Sequence, residues 1–197
     1  YTPTWSIEGL INEYTDKCKV IKEGEIQSIS PLINCKTYNT VMESFPTSGA
    51  TTQSLEFFLN AKVKTFTYET IRYQGHSLAV REILHKLGKE ALERILIETE
   101  DNPRLSWEQL HHQCFADQVE AKVVVKNDRG VTCERSLLVE QAPRFTAMQQ
   151  ATGFTCGIIA DWMVKNHLRT RKPLSYENVD FEYLANQLSF FGVNIKR

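Results

Sequence analysis

Val119-Glu120-Ala121-Lys122-Val123-Val124-Val125-Lys126, followed by Asn127-Asp128-Arg129-Gly130 and a return from Val131 to Val139, is the stretch that decides the fold. Val119, Ala121, Val123 and Val125 alternate with Glu120, Lys122 and Lys126, and a period of two sends successive side chains to opposite faces of a sheet. The polar insert ending in Gly130 is turn chemistry. The pattern predicts a long antiparallel hairpin with one apolar and one wet face.

Outward from the hairpin the period changes. Phe145 to Leu168 reads as a helix interrupted near Gly153 and Gly157, and Tyr176 to Phe191 as a last helix stopped by Gly192 before a tail from Val193 to Lys196. Upstream, Thr2 to Thr4 read as an extended entry, and Ser6 caps a helix from Ile7 to about Tyr14 that carries Ile7, Leu10, Ile11 and Tyr14 at helical spacing. Cys18 to Ile21 and Glu25 to Ile29 flank Lys22-Glu23-Gly24, the pattern of a short hairpin. Phe45 to Thr52 reads as a loop of small and hydroxylic residues, Leu55 to Leu59 as an apolar segment, and Lys62 to Tyr73 as a strand ending near Gln74-Gly75. Helices are expected from Ser77 to Leu87, stopped by Gly88, from Lys89 to about Glu98, and from Trp107 to Phe115 behind Ser106 as N-cap and Pro103 as breaker. The sum is an α+β fold, a mixed, largely antiparallel sheet covered by helices on one face.

With 197 residues the chain buries about 70% of its unfolded surface and needs neither disulfide nor metal to fold. Repeats, low-complexity tracts and Gly/Ser linkers are missing, so one continuous domain over residues 1–197 is expected. A formal net charge of -1 gives no field for a polyanion or an anionic membrane, so no nucleic-acid or membrane partner is expected. The apolar runs fall short of the roughly 20 residues of a bilayer span. Five cysteines without a C-x-x-C pair suit reduced, mostly buried thiols in the cytoplasm. The chain opens on Tyr1-Thr2-Pro3-Thr4-Trp5 without an initiator Met or signal peptide, and the expectation is a piece of a longer protein.

Nucleophile, zinc and nucleotide motifs are absent: no G-x-S-x-G, H-E-x-x-H, Walker loop or G-x-G-x-x-G after a strand. Gly153 to Gly157 reads as a place where another backbone approaches closely. His111, His112 and Cys114 suggest a metal site only superficially, because adjacent histidines point to different sides of a helix. Cys18, Cys35, Cys133 and Cys156 read as small buried hydrophobes, and no metal is expected.

Thr70-Ile71-Arg72-Tyr73-Gln74-Gly75-His76 is the constellation with chemistry in it, a strand end turning into a helix. Arg72 can grip a carboxylate through two hydrogen bonds, and the first amides of the next helix can add to that grip. The plain alternative is a surface Arg72 paired with Glu69 or a nearby acid.

The same residues carry a resemblance. I-R-Y-Q-G-H resembles the L-R-Y-[P/Q]-G-[H/F] signature of the saccharopine dehydrogenase family, which includes saccharopine reductases and lysine dehydrogenases. Trp5 to Tyr14 and Cys18 to Glu25 are similar to the family's segments after its nucleotide domain. Phe45-Pro46-Thr47-Ser48-Gly49 matches the bacterial F-P-T-S-G-G loop, with Ala50 in place of the last glycine. Thr146 to Phe154 is similar to T-A-M-A-R-T-T-G-F, departing at Gln149 and Gln150. The stretch from Lys89 to Arg104 matches poorly.

The resemblance implies the C-terminal substrate-binding and dimerisation domain, of the glyceraldehyde-3-phosphate dehydrogenase-like type, with a Rossmann domain outside this chain. It implies an oxidoreductase that exchanges hydride between NAD or NADP and the C–N bond of an amino-acid-type substrate, a homodimer, and inactivity of this chain alone. Arg72 would hold a substrate carboxylate, Ile71 and Tyr73 would shape the pocket, and Thr47 and Ser48 would line it. His76 would contact substrate or move a proton, on the strength of a free-histidine pKa near neutrality. Saccharopine reductases carry an Arg where this sequence has Thr47 and Ser48, so the identity of the substrate stays open. Two other readings stand beside this one: a binding or assembly module that keeps the fold without the pocket, and a hydrolase with a Cys or Ser nucleophile, which lacks a motif.

Overall fold

The computed structural model describes residues 5–49, 54–101, 117–166 and 178–196. Thr2 to Thr4, the helix expected from Trp107 to Phe115 with Ser106 as cap, and His111, His112 and Cys114 lie outside them. The chain divides into two compact units, Tyr1–His112 and Gln113–Arg197.

In the first unit, α1 (Ile7–Thr15) begins where the Ser6 hydroxyl accepts the Gly9 N–H. Such a cap satisfies an amide that the helix cannot. Strands β1 (Cys18–Lys22) and β2 (Glu25–Ile29) pair antiparallel around Glu23 and Gly24, both at positive φ, 54° and 81°. That is the turn whose twist matches the strands. A second sheet holds β3 (Lys36–Thr37), β4 (Met42–Pro46) and β5 (Glu69–Tyr73), all antiparallel. Between β4 and β5 runs α2 (Leu55–Asn60). After β5 come α3 (His76–Leu87), which ends at Gly88 with φ 85°, and α4 (Lys89–Asp101). Leu10, Ile11 and Tyr14 of α1, Val80 of α3 and Leu92 and Leu96 of α4 close on Phe45 of β4 and on Leu32. Burying each of these large side chains is worth about 1.5–3 kcal/mol.

In the second unit, β6 (Gln118–Lys126) and β7 (Thr132–Glu140) form the expected hairpin, and β8 (Asn194–Lys196) adds to β7. α5 (Ala147–Gln149) starts in a capping box between Thr146 and Gln149. A π-helical segment, Gln150–Phe154, leads into α6 (Thr155–Lys165), and α7 (Phe181–Phe190) is capped by Asp180. Ala147, Ile158 and Leu188 of the helices cover Val139 on one face of the sheet, joined by Val119, Leu137 and Ile195.

The α+β class follows the sequence, with differences in detail. The described strands form three antiparallel sheets of two, three and three strands instead of one. Of Lys62 to Tyr73 only Glu69–Tyr73 is strand; Lys62 turns at φ 57° and Phe66 makes a single bridge to Ile21. The hairpin has a covered face only at its base, since Val123 and Val125 remain 60% and 59% exposed. The break expected near Gly153 is the π-helical segment. A side-chain carbon at Gly153 or Gly157 would meet nothing within 4 Å, so neither glycine serves a close backbone approach among the described residues. Of the described cysteines only Cys18 is buried; Cys35, Cys133 and Cys156 are exposed, against expectation, because their strand, loop and helix faces lie outside the two cores.

Candidate functional site

β5 places its side chains alternately, and cross-strand partners share a face. Thr70 lies opposite Phe45 and Arg72 opposite Glu43, so Thr70, Arg72, Phe45 and Glu43 stand on one face of the β4–β5 pair. Ile71 and Tyr73, opposite Ser44 and Met42, stand on the other. The structure thus brings together only part of the expected set: Ile71 and Tyr73 do not share the face of Arg72.

Glu69 does not hold Arg72. Its carboxylate accepts from Lys36 Nζ and from the Ser44 hydroxyl, the latter at 2.8 Å. The Arg72 Nη1 donates to the Ile71 carbonyl at 2.9 Å, and its Nε lies below the surface. The guanidinium charge is felt by three neighbours. Glu13, at the end of α1, is pushed up by burial and drawn partly back by Arg72. The Tyr68 phenol is raised by burial and then by the Glu13 charge, opposed by a hydrogen bond from Thr70 and by Arg72. His76 is pushed down to about 3, by burial first and Arg72 second.

Thr47 to Gly49, which follow β4, are each anchored within the protein. Thr47 and Thr70 hydroxyls share a buried hydrogen bond of 2.7 Å. The Ser48 N–H donates to the Glu13 carbonyl at 3.0 Å, and its hydroxyl to the Asn12 carbonyl at 2.9 Å. Gly49 is pressed on the Tyr68 ring, whose Cε1 would stand 2.8 Å from an added side-chain carbon. Thr47 and Ser48 therefore come to the Arg72 face, but their hydroxyls are committed within the protein. Glu13, Tyr68 and Thr70 complete the cluster. Sequence reading placed Thr70 in the constellation but did not single out Glu13 or Tyr68, because only pairing of β4 with β5 brings α1, the loop and the strand end together.

His76 opens α3. Its ring stacks on Phe45 at 6.0 Å between centroids and 7° between planes, and its Nε2 lies 2.9 Å from the Tyr14 hydroxyl. A half-buried imidazole beside a guanidinium stays neutral throughout the neutral pH range. The argument from a pKa near neutrality therefore falls away, and His76 stands as a neutral hydrogen-bonding ring.

Two amides at the start of α3, those of Gly75 and Ser77, are also taken. Glu43 is a buried carboxylate, 8% exposed, whose Oε2 accepts the Gly75 N–H at 3.0 Å and whose Oε1 accepts the Ser77 N–H at 2.7 Å. Gly75, at φ 88°, makes the turn that aims both amides at it. For the Gly75 and Ser77 amides the expectation of assisting Arg72 in holding a ligand does not hold, since an internal carboxylate occupies them.

Thiol chemistry finds little support. Cys18 is buried and raised to about 11 by desolvation; Cys35 is raised to about 11 by desolvation, then by Glu43 and Glu69. Both are poor nucleophiles at neutral pH. Among the described residues no three His, Cys, Asp or Glu side chains converge to hold a metal ion, and no helix is long and apolar enough to cross a membrane. A dinucleotide needs glycines in a strand-to-helix turn, whereas Gly153 and Gly157 lie inside the π-helical segment and α6. These residues do not fit such a cofactor.

Comparison with known proteins bears on the family and the fold of the chain. The family model for the saccharopine dehydrogenase C-terminal domain matches residues 1–189. Among solved structures the chain is similar to the apo histidine-tagged saccharopine dehydrogenase (L-Glu forming) from Saccharomyces cerevisiae, with a TM-score of 0.59 and 16% identity. The match covers 100% of this chain and 61% of that one, and at this identity it is a likeness of fold.

Proposed function

The chain belongs to the saccharopine dehydrogenase C-terminal domain family, and on that premise we propose that it is the substrate-binding domain of an NAD(P)-dependent oxidoreductase acting on an amino-acid C–N bond. One observation carries the reading: the Arg72 guanidinium sits at a strand end beside Glu13, Tyr68 and neutral His76, with its charge acting on all three. A partly desolvated guanidinium of this kind suits a carboxylate, through charge-assisted hydrogen bonds that water would otherwise weaken.

In this proposal Arg72 binds the carboxylate of an amino-acid-type substrate, and the Thr47–Thr70–Tyr68 cluster keeps the strand end rigid around it. The Tyr14–His76 contact fixes the start of α3 after the strand end. NAD or NADP supplies hydride exchange and is bound by polypeptide outside this chain, which would be inactive alone. The active protein is a homodimer in the cytoplasm, a setting that suits its free cysteines. In the full-length oxidoreductase, Arg72→Ala raises the KM for amino-acid substrates tens-fold, about 2 kcal/mol of lost carboxylate binding. An unchanged KM removes the assigned role.

A specific observation favours a second reading. The Gly75 and Ser77 amides and the Thr47 and Ser48 hydroxyls are all engaged internally, as in a binding or assembly module that kept the fold without a working pocket. In that case Arg72→Ala changes stability and leaves substrate kinetics alone. Light scattering tests the dimer in both readings, and a monomer at tens of micromolar contradicts it.

A further inference from the structure

The carboxylate of Glu43 does more than end a helix. It lies directly across from Arg72 in the β4–β5 register and on the same face. It is buried, and both oxygens accept backbone amides of the α3 start, on either side of His76. The Ser77 hydroxyl, donating to the Leu32 carbonyl at 2.9 Å, holds the same turn from behind. Two converging amides at a helix N-terminus attract any carboxylate. Here that attraction is satisfied from within, next to the one guanidinium assigned to the substrate.

We propose that Glu43 is a positioning residue that sets where the substrate carboxylate goes: by filling the amide pair of Gly75 and Ser77 it leaves Arg72 as the donor to that carboxylate and fixes His76 between the two. This inference rests on the carboxylate reading of Arg72 given above. Without Glu43, the vacated amides compete with Arg72, and part of the substrate binds displaced from the reacting position. Displaced binding lowers kcat and KM by the same factor and leaves kcat/KM unchanged. Simple loss of a structural hydrogen bond does not produce that pairing.

Acetate is the probe, with chloride at equal ionic strength as control. In the 197-residue chain carrying Glu43→Ala, tens of millimolar acetate refill the amide pair and raise the thermal midpoint by several degrees, or restore refolding if the variant does not fold unaided. Chloride does neither, and the wild-type chain does not respond to acetate. In the full-length enzyme, Glu43→Ala lowers kcat and KM together several-fold, acetate reverses both, and Glu43→Gln, which keeps one accepting oxygen, shows a smaller paired drop. A variant indifferent to acetate, or one that loses kcat/KM without the paired drop, overturns the proposal. The unfolding arm contains no substrate and fails only if the Glu43 assignment fails, whereas an unaltered KM in Arg72→Ala fails the carboxylate reading alone.

Discussion

Tyr14 and His76, 62 residues apart, meet with Oη and Nε2 at 2.9 Å, and this contact ties the end of α1 to the first residue of α3. Burial first, and the Arg72 guanidinium second, keep this imidazole neutral. Its pKa is held at about 3 against 6.5 for a free histidine. Between these values the unfolded chain binds a proton that the folded chain refuses, so the contribution is complete above pH 6.5 and is lost as pH falls toward 3. Urea unfolding across that window should show stability dropping with acid, by up to a few kcal/mol. His76→Phe, which keeps the stack on Phe45, should flatten that part of the slope; an unchanged slope would show that His76 is not its source.

Much of this was legible in the sequence. Ser6, Gly88 and the Glu23-Gly24 turn announce their elements because their chemistry is local, and the β6–β7 alternation is a period that nothing else produces. The β4 strand was hidden. Glu43, Ser44 and Pro46 are residues that sheets usually avoid, and they are tolerated because Glu43 is bonded to the α3 amides and Ser44 to Glu69. With β4 unseen, neither the Glu43–Arg72 register nor the convergence of Glu13, Tyr68 and Thr70 could be read. Arg72 was visible because a guanidinium at a strand end draws attention alone, while the commitment of Thr47 and Ser48 depends on long-range partners.

The buried Thr47–Thr70 hydrogen bond gives a second expectation. Thr47→Val leaves the Thr70 hydroxyl short of a partner and should cost about 1–3 kcal/mol in urea unfolding. Replacing both threonines by valine should cost less than the sum of the single changes. Strict additivity would mean that the two hydroxyls do not interact.

Two glycines should respond with opposite sign. Gly49→Ala drives a carbon into the Tyr68 ring and should destabilise by about 1–3 kcal/mol. Gly157→Ala, inside α6 with open space around it, should stabilise by up to about 1 kcal/mol through helix propensity. Thermal melts of the two variants check both, and a destabilised Gly157→Ala would restore a packing role for that glycine.

Thiol labelling separates the oxidoreductase reading from a cysteine hydrolase. A maleimide should modify exposed Cys133 and Cys156 first, Cys35 slowly at its pKa of about 11, and buried Cys18 only on unfolding. One hyper-reactive thiol among these four would revive the nucleophile.

The assignment of Arg72 is tested most directly by pairing a change in the protein with a change in the ligand. In the full-length enzyme, converting the substrate carboxylate to its carboxamide should weaken wild-type binding tens-fold and make almost no difference to Arg72→Ala, because the group that senses the charge is gone. An equal loss in both proteins would place the carboxylate elsewhere and contradict the account.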